Sequence, residues 1–574
     1  MYRQFRRVAM IAVLVAALAM SFVTVSAATL NKEVRGVNGM VAAASPYAAE
    51  AGVEILKKGG NAIDAAVATA FAIGVCEPNA SGLGGEGYVV AYLAKEKKAI
   101  SIDYRSAAPK LTAEKYYGKT FSGVKGWDLV ATPGLVLGLC TLQEKYGVLT
   151  LPEVMWPAIR LCEKGFKITA YLAQSITDSL AVITANPDLA KVYLDPLGLP
   201  KEEGQILTNP DLGKSLRLIA TKGADVFYHG ELADAIEAAS LAQGGLLRKS
   251  DLEAYKVYER EPMSGSYRGN HFYTAPPPVG GIILTEALSI MENFDLSKKP
   301  HLDSYNIHIM AESLKRSFAD HYQYCADPAF VDVPLKELQN KDYTKFRSWT
   351  IDPSKMTPLE GITSGDPMQF ATVTEFKLAD TGYESPSTTH ISVMDKDRNT
   401  VALTQTLSSF WGAGVTVPGT GIIMNNENAN FSKAPNINDI APNKRMRTTI
   451  VPTIMVDKND MPILSVGTPG AGRIAPALTQ IIHAIVDQHL GLQEAIEAPR
   501  FHVVNSSITF EYESRMPAST LDGLKAKGYT IDGKNMKGEY DLYFGGAQGV
   551  FFDEKTNEFV GAADPRRDGA ARGF

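Results

Sequence analysis

The stretch TTHISVMDKDRNTVALTQT, from Thr388 to Thr406, constrains the fold more than any other part of the chain. Two runs rich in β-branched residues flank a polar pentapeptide, Asp395 to Asn399, and that pattern folds as an antiparallel hairpin. A turn centred on Asp397 pairs Met394 with Thr400, Ser392 with Ala402 and Thr388 with Thr406. Directly opposed residues hold their Cβ atoms about 4.5–5.5 Å apart, so the Thr406 hydroxyl is placed to orient that of Thr388. The turn itself opens like a calcium loop, but Thr400 stands where that loop needs glycine and Thr406 where it needs glutamate.

Around this hairpin the texture of the chain changes. Residues 130–330 read as mainly helical, with apolar spacing of three to four in LPEVMWPAIRLCEKGF and SYNIHIMAESLKRSFADHYQY. From about residue 385 strands and glycine turns dominate. Nearer the N-terminus, Ser45-Pro46 opens a helix that KKGG at 57–60 closes. NAIDAAVATAFAIGVCEP, apolar after its first turn, predicts a buried helix ending before Pro78. In the following SGLGGEGYVVAYL, Gly82, Gly84 and Gly87 have dinucleotide-loop spacing, but they precede a strand instead of following one. The glycines therefore serve a tight turn or the close approach of a ligand, and no nucleotide cofactor is expected. Without repeats or low-complexity linkers, the 574 residues read as one interleaved α/β unit.

Acidic and basic residues nearly balance, 63 against 57, and no Lys/Arg block stands out, which excludes a nucleic-acid surface and leaves a small-molecule or peptide substrate. Arg3, Arg6 and Arg7 before the apolar run VAMIAVLVAALAMSFV, with small residues at Val25-Ser26-Ala27, predict a cleaved export signal over 1–27. An uncleaved anchor is the alternative, though spanning helices usually need ~20 apolar residues, and no other segment is long and apolar enough to cross a bilayer. Cys76, Cys140, Cys162 and Cys325 are far apart without neighbouring histidines, which predicts buried free thiols and no metal site.

GTPGAGRI at 467–474 has P-loop glycine spacing but Arg473 and Ile474 in place of Lys and Ser/Thr, so phosphate binding is not supported. It joins the strand PILSV to the helix IAPALTQIIHAIVD, which sets its backbone N–H groups at a positive helix terminus suited to a developing oxyanion, or makes an ordinary glycine turn. A threonine hydroxyl needs a base, and the scattered histidines give no His-acid pair; His390, on the strand, reads as a packed residue. One solution is to make the threonine N-terminal, so that its own α-amine, with a pKa of about 7.7–8.0, is the base. That requires cleavage before Thr388, which its hydroxyl achieves by attacking the carbonyl of Ser387.

The segment ESPSTTHISVMDKDRNTVALTQTL resembles the processing site of the gamma-glutamyltransferase (gamma-glutamyltranspeptidase) family of N-terminal-nucleophile hydrolases. GGNAIDAAVATAFAIGVCEPNASGLGGEGY, IDYRSAAP, ATPGLVLGL, TAPPPVGG, MNNENANFS, GTPGAGRI, APRFH and AADPR follow in the family's order. The resemblance implies a four-layer αββα sandwich shared by two chains from one precursor, 28–387 and 388–574, paired as a heterodimer with no cofactor. It implies Thr388 as nucleophile of self-cleavage and catalysis, Thr406 as its hydroxyl partner, Gly470 and Ala471 as the oxyanion hole, and Arg105 as the grip on a substrate α-carboxylate.

Departures from the family pattern cluster at the substrate's amino-acid end. Glu427 keeps an acidic or amide position facing the α-ammonium, but Asn430 stands where aspartate is usual. Thr448 and Thr449 replace paired serines, and Ser408 replaces asparagine. On this reading Asn430→Asp should strengthen γ-glutamyl binding, and Arg447 adds a cation for a second substrate carboxylate. The stretch from Phe431 to Asn443 is short, lacking an extended lid, which opens the cleft to water and bulkier donors. The expected activity is transfer of a γ-glutamyl group from glutathione-type donors to water or an amino acid. The alternatives are a relative acting on poly-γ-glutamate or a glutaryl-type amide, and an exported binding protein without turnover.

Overall fold

Both strands of the hairpin, Thr389–Asp395 and Thr400–Thr406, are buried at every residue, so each face needs a covering layer. The computed structural model, which describes residues 33–372, 387–533 and 539–574, supplies a second sheet on one face and helices on the other. The expected export signal over 1–27 and Pro386 lie outside the described residues. The register is the one expected: Met394 pairs with Thr400, Ser392 with Ala402 and Thr389 with Gln405. Asp395 organises the turn, its carboxylate accepting from the N–H groups of Asp397 (2.9 Å), Asn399 (3.0 Å) and Ala62 (2.9 Å). That last bond ties the turn to the start of the helix Ala62–Cys76.

The first sheet is antiparallel and seven-stranded, ordered Ala570–Gly573, Gly39–Ala43, Thr389–Asp395, Thr400–Thr406, Glu86–Leu93, Lys98–Tyr104 and Tyr258–Arg260. The second, also antiparallel, runs Val34–Gly36, Glu558–Ala563, Gln548–Asp553, Pro462–Gly467, Thr453–Val456, Asn270–Thr274 and Met263–Tyr267. Each sheet draws strands from both sides of the Ser387–Thr388 bond. Helix Ala62–Cys76 packs on the outer face of the first sheet, where Gln405 Nε2 donates to Ala70 O (2.9 Å). Helices Gly281–Met291, Ser304–Tyr324 and Ile474–Val486 cover the second. This is the expected αββα sandwich.

The helix Ala62–Cys76 is capped by a reciprocal pair: Asn61 Oδ1 accepts from Asp64 N (3.0 Å), and Asp64 Oδ2 from Asn61 N (3.1 Å). Ser45 holds the N-cap position of helix Pro46–Lys57, though its side chain makes no capping bond. The interval expected to be mainly helical is interrupted by a hairpin whose turn residues, Arg268 (φ 51°) and Gly269 (φ 82°), both lie in the left-handed region that two-residue hairpin turns require. Two of the glycines after the buried helix admit neighbouring backbone, a Cβ on Gly84 lying 2.2 Å from Ile423 O and one on Gly87 2.5 Å from Thr404 O, while a Cβ on Gly82 would meet nothing within 4 Å. All four cysteines are free and buried. Among the described residues no helix is long and apolar enough to cross a membrane.

Candidate active site

Side chains alternate along a strand, so Thr388 shares a face with His390 while Thr389 points the other way, toward the helix layer with Gln405. His390 faces the second sheet: a Cβ on Gly467 would meet its ring at 2.2 Å. The loop that follows Gly467 therefore runs past Thr388. Thr388 is 5% exposed and Ser387 fully buried. Thr388 Oγ1 donates to Thr406 Oγ1 at 3.0 Å, and Thr406 Oγ1 also accepts from Ser408 N at 2.8 Å. Thr388 has φ +88°, a conformation that β-branched residues strongly avoid and that stores strain beside the Ser387 carbonyl.

His390 is a packed residue. Its Nδ1 meets Thr404 Oγ1 at 2.8 Å and its Nε2 meets Ser392 Oγ at 3.1 Å. Burial lowers its pKa to about 3, which leaves it neutral. The chain then offers no side-chain base among these contacts of Thr388, and the α-amine that cleavage would release is the base at hand.

Gly470 (φ +132°) and Ala471 (φ +50°) start a short 3₁₀ turn, Ala471–Arg473, that leads into helix Ile474–Val486. Their N–H groups thus sit at a helix start, where the backbone favours negative charge. The turn is braced by Arg473, whose N donates to Gly470 O (3.0 Å), whose Nε donates to Tyr543 O (3.1 Å) and whose guanidinium lies 4.2 Å above the Tyr543 ring.

The residues expected at the amino-acid end form one connected group. Arg105, completely buried, meets Glu427 Oε2 through Nη2 (3.2 Å). Asn430 Nδ2 donates to Glu427 Oε2 (2.9 Å) and to Ser408 Oγ (3.0 Å). Asn438 joins this group to the 447–449 segment, donating to Asn430 O (2.8 Å) and accepting from Arg447 N (2.7 Å). Thr448 and Thr449 are half-buried. Thr448 N donates to Pro278 O (3.0 Å), and Gly280 packs so closely on Thr449 that a Cβ would lie 2.8 Å from its carbonyl oxygen. Burial pushes the Glu427 carboxyl above its ordinary range and lowers the Arg105 guanidinium, each opposed by the other's charge.

Asn430 reaches Glu427 as a donor, a contact that an ionised aspartate could not make. One expectation changes. Arg447 turns to Tyr322, lying 4.6 Å above its ring and donating to its carbonyl oxygen (3.2 Å). Three residues escaped the sequence reading. Arg567 Nη1 donates to Thr388 O (2.6 Å) and pairs with the buried Glu77 (3.0 Å), clamping the backbone of the nucleophile. Glu86, fully buried, contacts Arg105 Nη1 and accepts from Ser106 N (2.6 Å). Its signal was visible as a lone acid at the start of an apolar strand.

The gamma-glutamyltranspeptidase family model matches residues 48–574. The chain belongs to that family. Its relatives within reach of sequence comparison include the glutathione hydrolase proenzyme of Bacillus subtilis strain 168, 36% identical over 552 residues that cover 94% of this chain and 92% of that one. The acylase ACY 1 proenzyme of Pseudomonas sp. strain SE83 is 38% identical over 515 residues, 87% of this chain and 88% of that one. Among solved structures, cephalosporin acylase from Bacillus halodurans superposes with a TM-score of 0.84 at 30% identity, covering 94% of this chain and 97% of that one. The gamma-glutamyltranspeptidase family thus brings this chain close to two named activities, and the site has to discriminate between them.

Proposed function

We propose that the chain is an exported, self-processing γ-glutamyl hydrolase and transferase. Residues 1–27 act as the export signal, and cleavage of the Ser387–Thr388 bond yields a large chain, 28–387, and a small chain, 388–574, held as a heterodimer by the shared sheets. Thr388 Oγ1 attacks the Ser387 carbonyl, the amide nitrogen leaves as the Thr388 α-amine, and water hydrolyses the resulting ester, which frees the Thr388 hydroxyl and the Ser387 carboxylate. That amine then takes the proton of the same hydroxyl as it attacks the γ-glutamyl amide. Thr406 orients the hydroxyl, the N–H groups of Gly470 and Ala471 stabilise the tetrahedral oxyanion, and the γ-glutamyl ester on Thr388 passes to water or an amino acid.

The observation that carries this reading is the 3.0 Å hydroxyl pair of Thr388 and Thr406, with Thr388 strained at φ +88° beside the carbonyl it would attack. At the amino-acid end, Glu427 and Asn430 receive the α-ammonium, Arg105 faces the α-carboxylate, and Ser408, Thr448 and Thr449 supply hydroxyls. Acid-quenching the processed protein during turnover of a γ-glutamyl anilide should trap a γ-glutamyl group on the small chain. An unmodified small chain, with turnover proceeding, would refute the covalent route. A second reading, hydrolysis of another acyl amide, is favoured by one observation: the Pseudomonas acylase is as similar to this chain as the glutathione hydrolase is.

A further inference from the structure

The register of the first sheet extends in a line across its end. Thr388 lies opposite Thr406 by the hairpin register, Thr406 pairs with Glu86, and one step beyond the Gly87–Tyr104 pair sets Glu86 opposite Arg105. Directly opposed residues of antiparallel strands project from the same face, so Glu86 stands in one row between the hydroxyl pair and the arginine. Its position is fixed from both sides, by Ser106 N (2.6 Å) and by Arg105 Nη1.

Among the described residues the charges of this neighbourhood do not close. Arg105 faces two carboxylates, Glu86 through Nη1 and Glu427 through Nη2. The adjoining guanidiniums are engaged elsewhere. Arg445 and Arg260 both pair with Asp103, and Asp327 receives Arg260 Nη2 at 3.7 Å and Arg445 N at 2.9 Å. Three guanidiniums thus meet four carboxylates, all with side chains no more than 18% exposed. A surplus carboxylate held out of water is met either by a proton, in keeping with the raised Glu427 carboxyl, or by a cation arriving with the substrate. Each terminal nitrogen of Arg105 already faces a carboxylate, so a substrate carboxylate has to share the guanidinium with Glu86 and Glu427.

We propose that Glu86 is a specificity-determining residue that makes this site select the donor's ammonium over its α-carboxylate, so that the preferred substrate class is amides of acyl groups bearing a γ-amine. The inference rests on the hydrolase reading above and narrows it. A γ-glutamyl group qualifies through its ammonium, a 4-aminobutanoyl group keeps that ammonium without the carboxylate, and a glutaryl group has the carboxylate alone. Glu86 therefore separates the two activities named among the relatives: it disfavours an acyl group whose only charge is negative.

The test ranks kcat/KM of the processed protein on three chromogenic anilides: γ-glutamyl, 4-aminobutanoyl and glutaryl. The expected result is 4-aminobutanoyl within about tenfold of γ-glutamyl, a difference of about 1.4 kcal/mol, with glutaryl at least about a hundredfold below both. In Glu86→Gln the ratio of γ-glutamyl to 4-aminobutanoyl should rise about tenfold, chiefly through KM for the γ-glutamyl anilide. A wild-type preference for γ-glutamyl above about a hundredfold, or a ratio unmoved by Glu86→Gln, overturns the inference and leaves the hydrolase reading standing. If Glu86→Gln fails to process, the wild-type ranking and Glu86→Asp decide. If none of the three is turned over although Thr388 has been released, the hydrolase reading falls and this inference with it.

Discussion

The two ends of the catalytic row are built by opposite means. At Thr388 and Thr406 the groups are neutral, and geometry does the work: a fixed hairpin register, a 3.0 Å hydroxyl pair and a backbone held at φ +88°. At Arg105 the groups are charged and buried, and each is held by the field of the next, with Glu86, Glu427 and Asn430 interlocked. The first end tolerates no change of atom, and Arg567 clamps its backbone from afar. The second should keep its substrate preference under exchanges that hold the charge sum and shift that preference when the sum changes.

The sharpest break at the neutral end is Thr388→Ala, which removes the attacking oxygen. Processing and turnover should both vanish, leaving one chain on a denaturing gel. At the charged end, Arg105→Leu strands two buried carboxylates and should cost about 3–5 kcal/mol of stability, read by denaturant unfolding, with γ-glutamyl turnover lost. A loss below about 1 kcal/mol would show that the carboxylates are not held by this guanidinium.

Gly470→Ala forces a Cβ onto a backbone at φ +132° and shifts the N–H groups proposed to stabilise the oxyanion, so kcat should fall about 10²–10³-fold with KM little changed. His390 tests the claim that the neutral end has no side-chain base. Its pKa is depressed from 6.5 to about 3, so the unfolded chain takes up a proton that the folded chain refuses. Its contribution is fully present above pH 6.5 and is lost as pH falls toward 3, at up to about 1.4 kcal/mol per pH unit. His390→Gln should flatten that part of the acid unfolding curve while leaving the neutral-pH limb of the rate profile in place. The smallest effect is Asn430→Asp, which adds a carboxylate where the substrate ammonium is received and should lower the γ-glutamyl KM about threefold, read by steady-state kinetics; an unchanged or higher KM would count against that placement.

The same contrast governs what the sequence made legible. The hairpin register followed from alternation and a polar turn, because both are local, and so did the buried helix after Asn61. The family resemblance then supplied Thr388 as nucleophile, with the loop at Gly470 and Ala471 beside it. The charged end was only half legible. Arg105, Glu427 and Asn430 came from motif positions, but the pairing of Glu86 with Arg105 and of Arg567 with Glu77 and Thr388 O depends on residues far apart in the sequence, and the contact of Asn430 with Glu427, three residues away, depends on the short turn between them. Arg447 was misread for the same reason: nothing in its own segment announces Tyr322. The hairpin Met263–Thr274 was missed although its Arg-Gly turn carried a local signal, because it lies inside the interval 130–330 read as mainly helical.

The central claim is that Thr388 becomes the N-terminal nucleophile of a new chain. N-terminal sequencing and intact mass of the purified protein test it directly. The account predicts two fragments, the smaller beginning Thr-Thr-His-Ile-Ser at residue 388 and ending at Phe574. A single uncleaved chain, or a new N-terminus at any other residue, would contradict it.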